Sequence, residues 1–374
     1  MRIVHVANAY TPRSGGIRTT VHALGHGYRA AGHEFVLVVP GPRAGDEELP
    51  WGRRVTLPGP RVPGTGGYRV LADLRRVRAV LDALEPDRLE VSDRLTLRGL
   101  GRWAIAAGVP STVIAHERVD GILRAFLPLG ARRAQHAADR HNATTAERFD
   151  RVVTTTRFAA QEFARIGVPT DHVPLGVDLE QFRPATHPST DGVPLLVLCS
   201  RLSREKRPDL AVEALRVMHR GGFPARLVVA GSGPLAVSLR RRARGLPVEL
   251  VGHLADRSSV ARLLGAADVV LAPGPVETFG LAALEALACG TPVVAASTSA
   301  VAELVEGGAG RSARPEPSAL AAAVAALLAV PTARRREAAR ARAELFPWSR
   351  TTDTMLVLHR LTVPMGSDHV AARG

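Results

Sequence analysis

Lysine is nearly absent from this chain. Of its 49 lysine and arginine residues, only Lys206 is a lysine. Cysteine is almost as scarce. Cys199 and Cys289 are the whole complement, both in apolar surroundings, which excludes a disulfide framework and a cysteine-based zinc site and leaves both as small core residues. Long hydrophobic runs are missing too: stretches such as Phe35 to Pro40 and Pro194 to Cys199 fall well short of the ~20 residues that a bilayer-spanning helix needs. No apolar signal region opens the chain, because Met1-Arg2 runs straight into the strand-like Ile3-Val4-His5-Val6, so a cytoplasmic location is expected. Aromatic residues make up only 4%, and no nucleic-acid-binding module is recognisable, so nucleic acid is not expected as a partner despite a net charge of +14. No Asp-x-Asp run follows a strand and no Asp/His cluster is present; neither a metal nor a cofactor is expected.

The arginine skew reads most simply as coding bias, which weakens any inference from net charge to an acidic partner. It makes the exception informative. Where arginine has displaced lysine everywhere else, the one lysine kept marks a position suited to a compact ammonium rather than a planar fork, although chance survival gives the same count.

What is present is enough apolar residue, 46% of 374, to build two or three compact cores. The first forty residues read as strand 3–7, loop 8–16, helix 17–31 and strand 35–39, a βαβ unit and hence a parallel sheet. Residues 41–67, rich in Gly, Pro and Arg, read as an irregular loop with room for one hairpin. Helices near 70–84 and 95–107, with strands at 89–91 and 112–115, continue the alternation. A basic helical segment over 120–148, strand 151–155 and helix 156–166 follow. Residues 183–194 are a polar Pro/Gly stretch, and beyond them the pattern restarts with strands at 195–199, 226–230, 247–251, 268–272 and 292–296 separated by helices. The expected fold is α/β, two doubly wound Rossmann-like domains facing a central cleft, with residues 1–184 in the first domain, a linker at 185–193 and residues 194–349 in the second. A helix over 350–364 is expected to pack back on the first domain, leaving a tail at 365–374.

In such sheets ligands bind beyond the carboxyl ends of the strands, so the loops there carry the chemistry. After the fourth strand of the second domain, Glu277 lies just before a helix and Glu285 lies eight residues on. The first-turn amides of Phe279, Gly280 and Leu281 make an anion site suited to a diphosphate. Carboxylates beside such a site accept hydrogen bonds from sugar or ribose hydroxyls; the same two residues also read as a helix-start charge and a solvated face residue. After the first strand of that domain, Arg201 and Lys206 can converge on one diphosphate, the arginine as a fork and the lysine as a point charge, or form an ordinary basic loop. Gly15 and Gly16 open the first helix and permit close backbone approach to a phosphate, or simply a tight turn. His116 ends a strand of the first domain, a placement less often structural than most for a lone histidine. Gly231-Ser-Gly233-Pro-Leu-Ala236 fits a relaxed dinucleotide fingerprint with Glu249 beyond it, so an NAD-dependent oxidoreductase is a second reading. The segment 121–148, with Ile122, Leu123, Phe126 and Leu127 beside Arg124, Arg132, Arg133, Arg140 and Arg148, reads either as a surface for anionic membrane or as a solvated helix pair.

Taken together, these residues resemble the retaining glycosyltransferases of family 4, with their GT-B architecture. The stretch Glu277-Thr-Phe-Gly-Leu-Ala-Ala-Leu-Glu285-Ala-Leu-Ala-Cys-Gly-Thr-Pro-Val-Val is similar to that family's E-x7-E region. Arg201 with Lys206, Gly231-x-Gly233-Pro, Val251-Gly252-His253, Gly15-Gly16 and Pro174-Leu-Gly176-Val-Asp178 support the likeness. The resemblance implies Arg201 and Lys206 on the donor diphosphate, Glu277 on the transferred sugar, and Glu285 on the ribose. It also implies Thr278, Phe279, Gly280 and Leu281 around sugar and phosphate, Gly16 near the diphosphate, His116 near the sugar 6-hydroxyl, and Val251, Gly252 and His253 bordering the base. Transfer without metal and with retention of anomeric configuration is implied as well. Within the family, His116-Glu-Arg118-Val-Asp120-Gly and the stretch Val-Ser-Asp93-Arg-Leu-Thr-Leu are similar to actinobacterial mannosyltransferases, which implies GDP-mannose as donor and a glycolipid or glycan acceptor. A UDP-sugar-dependent enzyme is the alternative within the family.

Overall fold

The computed structural model describes residues 1–11, 15–62, 67–116, 118–126, 130–184 and 192–362, with 125 and 126 by backbone alone. The chain divides into two compact units, Met1–Leu175 with Trp348–Gly374, and Gly176–Pro347.

The first unit contains β1 (Arg2–Val6), α1 (Gly16–Ala30), β2 (Glu34–Gly41), β3 (Gly45–Leu49), β4 (Gly52–Pro58), α2 (Leu74–Leu84), β5 (Arg88–Val91), α3 (Leu100–Ala107) and β6 (Ser111–Ala115). It continues through α4 (Val119–Phe126), α5 (Ala131–Ala146), β7 (Arg151–Thr154), α6 (Arg157–Ala164) and β8 (Asp171–His172). The sheet order is β3-β4-β2-β1-β5-β6-β7-β8, parallel except for the β3–β4 pair. β1 pairs with both β2 and β5, so the strand order reverses there and the loops leaving β1 and β5 lie at the switch point. Because helices cover both faces, the central strands are buried apolar runs: Val4, Val6, Val36 and Leu89 pack on the side of Val77 and Leu81, while Ile3, Phe35 and Leu37 pack on the side of Val21, Leu24 and Tyr28.

The second unit contains β9 (Leu195–Cys199), a 3₁₀ turn (Arg204–Lys206), α7 (Pro208–Arg220), β10 (Arg226–Ala230), α8 (Ala236–Arg242), β11 (Val248–Gly252), α9 (Arg257–Ala266) and β12 (Val269–Ala272). After these come α10 (Leu281–Ala288), β13 (Val293–Ala296), α11 (Val301–Leu304), β14 (Gly310–Ala313), α12 (Pro317–Leu328) and α13 (Thr332–Ala343). Its six parallel strands run β11-β10-β9-β12-β13-β14. β9 pairs with both β10 and β12, which makes the ends of β9 and β12 the switch point of this sheet. The chain then returns to the first unit as α14 (Trp348–Leu361), whose Met355, Leu356 and Leu358 join the core beside α1. A Cβ added at Gly27 of α1 would lie 2.4 Å from Thr352 Oγ1, so the two helices meet where a glycine allows it.

Some expected boundaries need correcting. Residues 176–184 belong to the second unit: Phe182 is fully buried there beneath Arg257, and Arg340 donates to the carbonyls of Leu179 and Phe182. Most of the expected linker, 185–191, and the expected tail lie outside the described residues. The one hairpin for which the stretch 41–67 left room is present as β3 and β4, with Arg53 on Asp46 and Arg54 on Glu47, each at 2.7 Å. Its edge strand reads Gly-Asp-Glu-Glu-Leu, so charge pairing across the strands holds it where no apolar alternation would have revealed it. The basic segment 120–148 is two helices, α4 and α5; α2 and α3 begin later than expected, α2 at Leu74 after an Asp73 cap that accepts from the amides of Arg75 and Arg76. Among the described residues, no single helix is long and apolar enough to cross a membrane.

Candidate active site

In the second unit two loops meet at the switch point. The turn after β9 carries Arg201 and Lys206, and the loop after β12 carries Glu277. Gly274 lets them approach: a Cβ there would sit 3.0 Å from the Glu205 carbonyl and 3.2 Å from Lys206 Cα. Arg207 adopts φ +47°, ending the 3₁₀ turn, and Pro208 starts α7. The Lys206 ammonium thereby reaches the Glu277 carboxylate and pairs with it. Arg201 donates to Glu205 at 3.0 Å, which Ser203 also holds.

Burial opposes ionisation of Glu277, but Lys206, Arg201 and the amide of Thr278 outweigh it and hold the carboxyl below its ordinary range. Its backbone is fixed from the other side, where the amide of Ala300 donates to the Glu277 carbonyl at 2.9 Å and Thr298 Oγ1 donates to the Pro275 carbonyl at 3.2 Å. Gly280 then caps α10 with φ +88°, and a Cβ there would strike Val301 at 2.5 Å. Phe279 is buried, and Leu281 begins the helix without a side-chain cap above it. The start of α10 thus presents backbone amides beside a lysine, an arginine and a carboxylate, an arrangement able to hold an anion and a hydroxylated group together.

Glu285 is buried in the second turn of α10 and pairs not with Lys206 but with Arg257 of α9, at 2.9 Å. Burial pushes the Glu285 carboxyl up, and Arg257 acts against that. Arg257 also donates to Gln181 and lies over the Phe182 ring. Sequence reasoning missed Arg257, since nothing separates it from the other arginines.

Gly231 and Gly233 have a packing reason that the dinucleotide reading does not need. A Cβ at Gly231 would lie 1.8 Å from the Ser200 carbonyl oxygen and one at Gly233 2.4 Å from that of Leu202. The amide of Leu202 donates to the Ser232 carbonyl, and the amide of Gly231 donates to the Gly252 carbonyl at 2.7 Å. The loops after β9, β10 and β11 are thus stitched together, with Val251 and His253 exposed at the outer end and Glu249 exposed on the edge strand β11. Burial drives the thiols of Cys199 and Cys289 up to about 12, which keeps both as inert core groups.

Gly15, Gly16 and His116 belong to the first unit. Gly15 precedes α1, and a Cβ added to it would meet nothing within 4 Å. His116 follows β6, with Nε2 2.8 Å from Ser92 Oγ. Burial, with His5 and Arg94 nearby, lowers it to about 3 against the pull of Glu90, so it is a neutral imidazole at physiological pH. Glu90 and His5 were not singled out from the sequence, although a histidine and a glutamate inside otherwise apolar strands were a visible signal.

Comparison with known proteins bears on family and fold. A model described as glycosyl transferases group 1 matches residues 193–330, and one described as glycosyl transferase 4-like domain matches residues 15–176. The chain is 51% identical over 365 residues, 95% of each protein, to the GDP-mannose-dependent alpha-(1-6)-phosphatidylinositol dimannoside mannosyltransferase of Mycobacterium tuberculosis. It is 28% identical, over 82% of each, to a GDP-mannose-dependent alpha-mannosyltransferase of Mycolicibacterium smegmatis. Among solved structures, sucrose-phosphate synthase from Thermosynechococcus elongatus superposes with a TM-score of 0.77 at 21% identity, covering 96% of this chain and 98% of that one. An Anabaena protein, HepE, in complex with UDP gives 0.74 at 17% identity over 96% and 100%. The fold is GT-B, and the chain belongs to the group 1, family-4-like glycosyltransferases.

Proposed function

We propose that the chain transfers mannose from GDP-mannose to a hydroxyl of a phosphatidylinositol mannoside, with retention of anomeric configuration and without a metal. The observation that carries this reading is the 51% identity spread over 95% of both chains to a relative whose name states that donor and that acceptor. The site supplies the chemistry. Lys206 and Arg201 take the departing diphosphate, where negative charge grows as the glycosidic bond breaks, and the amides at the start of α10 add to them. Glu277 accepts from hydroxyls of the transferred sugar, its ionised state secured by Lys206. Glu285, shared with Arg257, accepts from the ribose. Gly231 and Gly233 fix the turn that carries Arg201, and Gly252 and its neighbours border the base.

A lipid acceptor implies work at a membrane surface, and we assign that contact to α4 and α5. Arg132, Arg133 and Arg140 of α5 are exposed, as is Arg124 of α4, while Ile122 and Leu123 are half-buried. The side chain of Phe126, and Leu127 altogether, lie outside the described residues.

The purified chain incubated with GDP-mannose and phosphatidylinositol dimannoside in anionic vesicles should yield the trimannoside by mass spectrometry, with an α-anomeric signal and an undiminished rate in EDTA. Transfer from UDP-sugars but not GDP-mannose, or thermal stabilisation by NAD(P) alone, would overturn the reading. Flotation with anionic but not neutral vesicles tests the membrane contact.

A further inference from the structure

Alanine stands at position 9 where this chain otherwise uses glycine. Among the described residues only three that are not glycine have a positive φ: Ala9 at +55°, Glu85 at +45° and Arg207 at +47°. Glu85 caps the end of α2 and Arg207 ends the 3₁₀ turn before α7, places where a left-handed residue closes a helix. Ala9 closes no helix. It lies in the loop that leaves β1 for α1, at the switch point made by β1 pairing with both β2 and β5. A Cβ in the left-handed region crowds the following carbonyl, so glycine is the residue suited to it, as at Gly32 with φ +79° and Gly108 with φ +66°. The chain contains 35 glycines, so the methyl at position 9 is kept against an available alternative.

The strained residue is held from both sides. Asn8 is buried; its Nδ2 donates to Asp93 Oδ2 at 2.5 Å and to Thr96 Oγ1 at 2.7 Å, and its Oδ1 accepts from the amide of Leu71 at 2.8 Å. Asp93 in turn accepts from the amides of Leu95 and Thr96, which pins the loop after β1 to the loop after β5, its neighbour in the sheet. On the other side Tyr10 is buried in the cluster of Ile3, Val21, Leu24 and Trp51, with its hydroxyl 2.8 Å from His22 Nε2. Between these two fixed side chains Ala9 is exposed. Packing inside the fold therefore does not offset the strain of its methyl. A strained residue that persists because its neighbours over-determine it is the pattern of a group placed for a ligand.

In the mannosyl-transfer reading the donor's diphosphate, sugar and ribose all fall to residues of the second unit, which leaves the switch point of the first sheet to the other substrate. We propose that Ala9 is a specificity-determining residue for the acceptor, its methyl packing on the C–H face of the sugar ring that carries the attacking hydroxyl. A hexose ring has apolar faces between its hydroxyls, and a small, rigidly held methyl meets one of them at little entropic cost and without taking up a hydroxyl's hydrogen bond. The identity of the acceptor rests on the reading above; the strain at Ala9 does not.

Two variants of the full chain test the assignment. Ala9→Gly relieves the left-handed strain, which offsets the freedom that glycine adds to the unfolded chain, so its thermal midpoint should be no lower than that of wild type. Its KM for phosphatidylinositol dimannoside in vesicles should rise about fourfold, the worth of one buried methyl, with donor KM nearly unchanged. Ala9→Asn tolerates the same backbone and adds bulk without loosening the loop; it should melt as wild type does and raise acceptor KM about tenfold. A lower midpoint for Ala9→Gly would make the methyl a packing group and overturn the proposal, as would an unchanged acceptor KM in either folded variant. If Ala9→Asn does not fold, Ala9→Gly decides alone. Calorimetric binding of deacylated phosphatidylinositol dimannoside, without donor, repeats the comparison independently of turnover. Binding that both variants weaken, in a chain that transfers no mannose, supports Ala9 and counts against the function. Mannosyl transfer that is indifferent to Ala9 keeps the function and ends the proposal, and a wild type that neither binds nor transfers ends both.

Discussion

The only lysine of the chain, Lys206, lies against Glu277, and the strands that deliver the two, β9 and β12, are neighbours at the point where the strand order of the sheet reverses. Neither residue can be read separately. The ammonium keeps the carboxylate ionised, and in the proposed reaction that carboxylate serves sugar hydroxyls while holding the ammonium where a diphosphate departs. Lys206→Ala should therefore lower kcat by about 10²–10³ while donor KM changes little, because a group that meets charge developing in the transition state acts on turnover. Lys206→Arg should not rescue, since a guanidinium fork cannot take the place of a compact ammonium against Glu277. Steady-state kinetics of both variants check this; equal losses in kcat and donor affinity would reduce Lys206 to a binding residue.

Gly231→Ala should damage both stability and turnover. The new methyl would fall 1.8 Å from a backbone oxygen of Ser200, at φ +144°, and neither atom belongs to a side chain that can swing away. Overpacking of this kind costs about 1–3 kcal/mol, and backbone strain adds to it. The displaced atoms belong to the turn bearing Arg201, so kcat should fall even at temperatures where the variant is folded. Chemical denaturation paired with kinetics measures the two effects. A stable variant with full activity would show that the turn has slack that the structure does not suggest.

Much of this was legible before any coordinates. The alternation of apolar runs and helical spacing locates the central strands of both sheets but not the short edge strands β8 and β14, and the solitary lysine coincides with a post-strand loop, so composition and topology select the same residue. For the hairpin of β3 and β4 the sequence left room but offered no strand positions, because Asp46, Glu47, Arg53 and Arg54 hold it by charge pairing, which leaves no apolar period to read. His5 and Glu90 stand out as polar interruptions in apolar strands, but only the register of β1 against β5 shows that they face each other. Arg257 was invisible for the opposite reason: in a chain so rich in arginine, nothing in spacing tells the one that meets Glu285 from those that meet solvent.

The histidines of the first unit make its stability sensitive to acid. Burial first, then the charges of Arg18, His26 and Arg54, lower His22 to about 4; it stacks on Trp51 with ring centroids 4.4 Å apart and is bonded to Tyr10. His116 is lowered to about 3. In the unfolded chain both would titrate near ~6.5. Between that value and the folded ones the unfolded state binds more protons than the native state, so stability falls as pH drops through this window and levels off for each group below its folded pKa. Thermal melts between pH 4 and pH 7 should show a midpoint that declines less steeply in His22→Phe, which keeps the stack, than in wild type. Parallel declines would mean that His22 does not carry the effect.

The pair of Arg257 and Glu285 makes a pH-dependent prediction of its own. Glu285 is 7% exposed, and its burial favours the neutral acid; Arg257, at 2.9 Å, is the group opposing that. Arg257→Ala removes the opposition, so the Glu285 carboxyl should titrate at higher pH than in wild type and lose its purely accepting character over the range where it is protonated. If ribose hydroxyls donate to this carboxylate, donor KM in the variant should rise most at low pH and approach the wild-type value as pH increases, with kcat little affected. Stability should drop by about 1–3 kcal/mol, the cost of leaving a buried polar group without its partner. Donor KM measured from pH 5.5 to pH 9 for both proteins checks the argument. A KM increase of the same size at every pH would show instead that Arg257 touches the donor directly, and Glu285→Gln, which cannot titrate, should give a KM that does not move across that range.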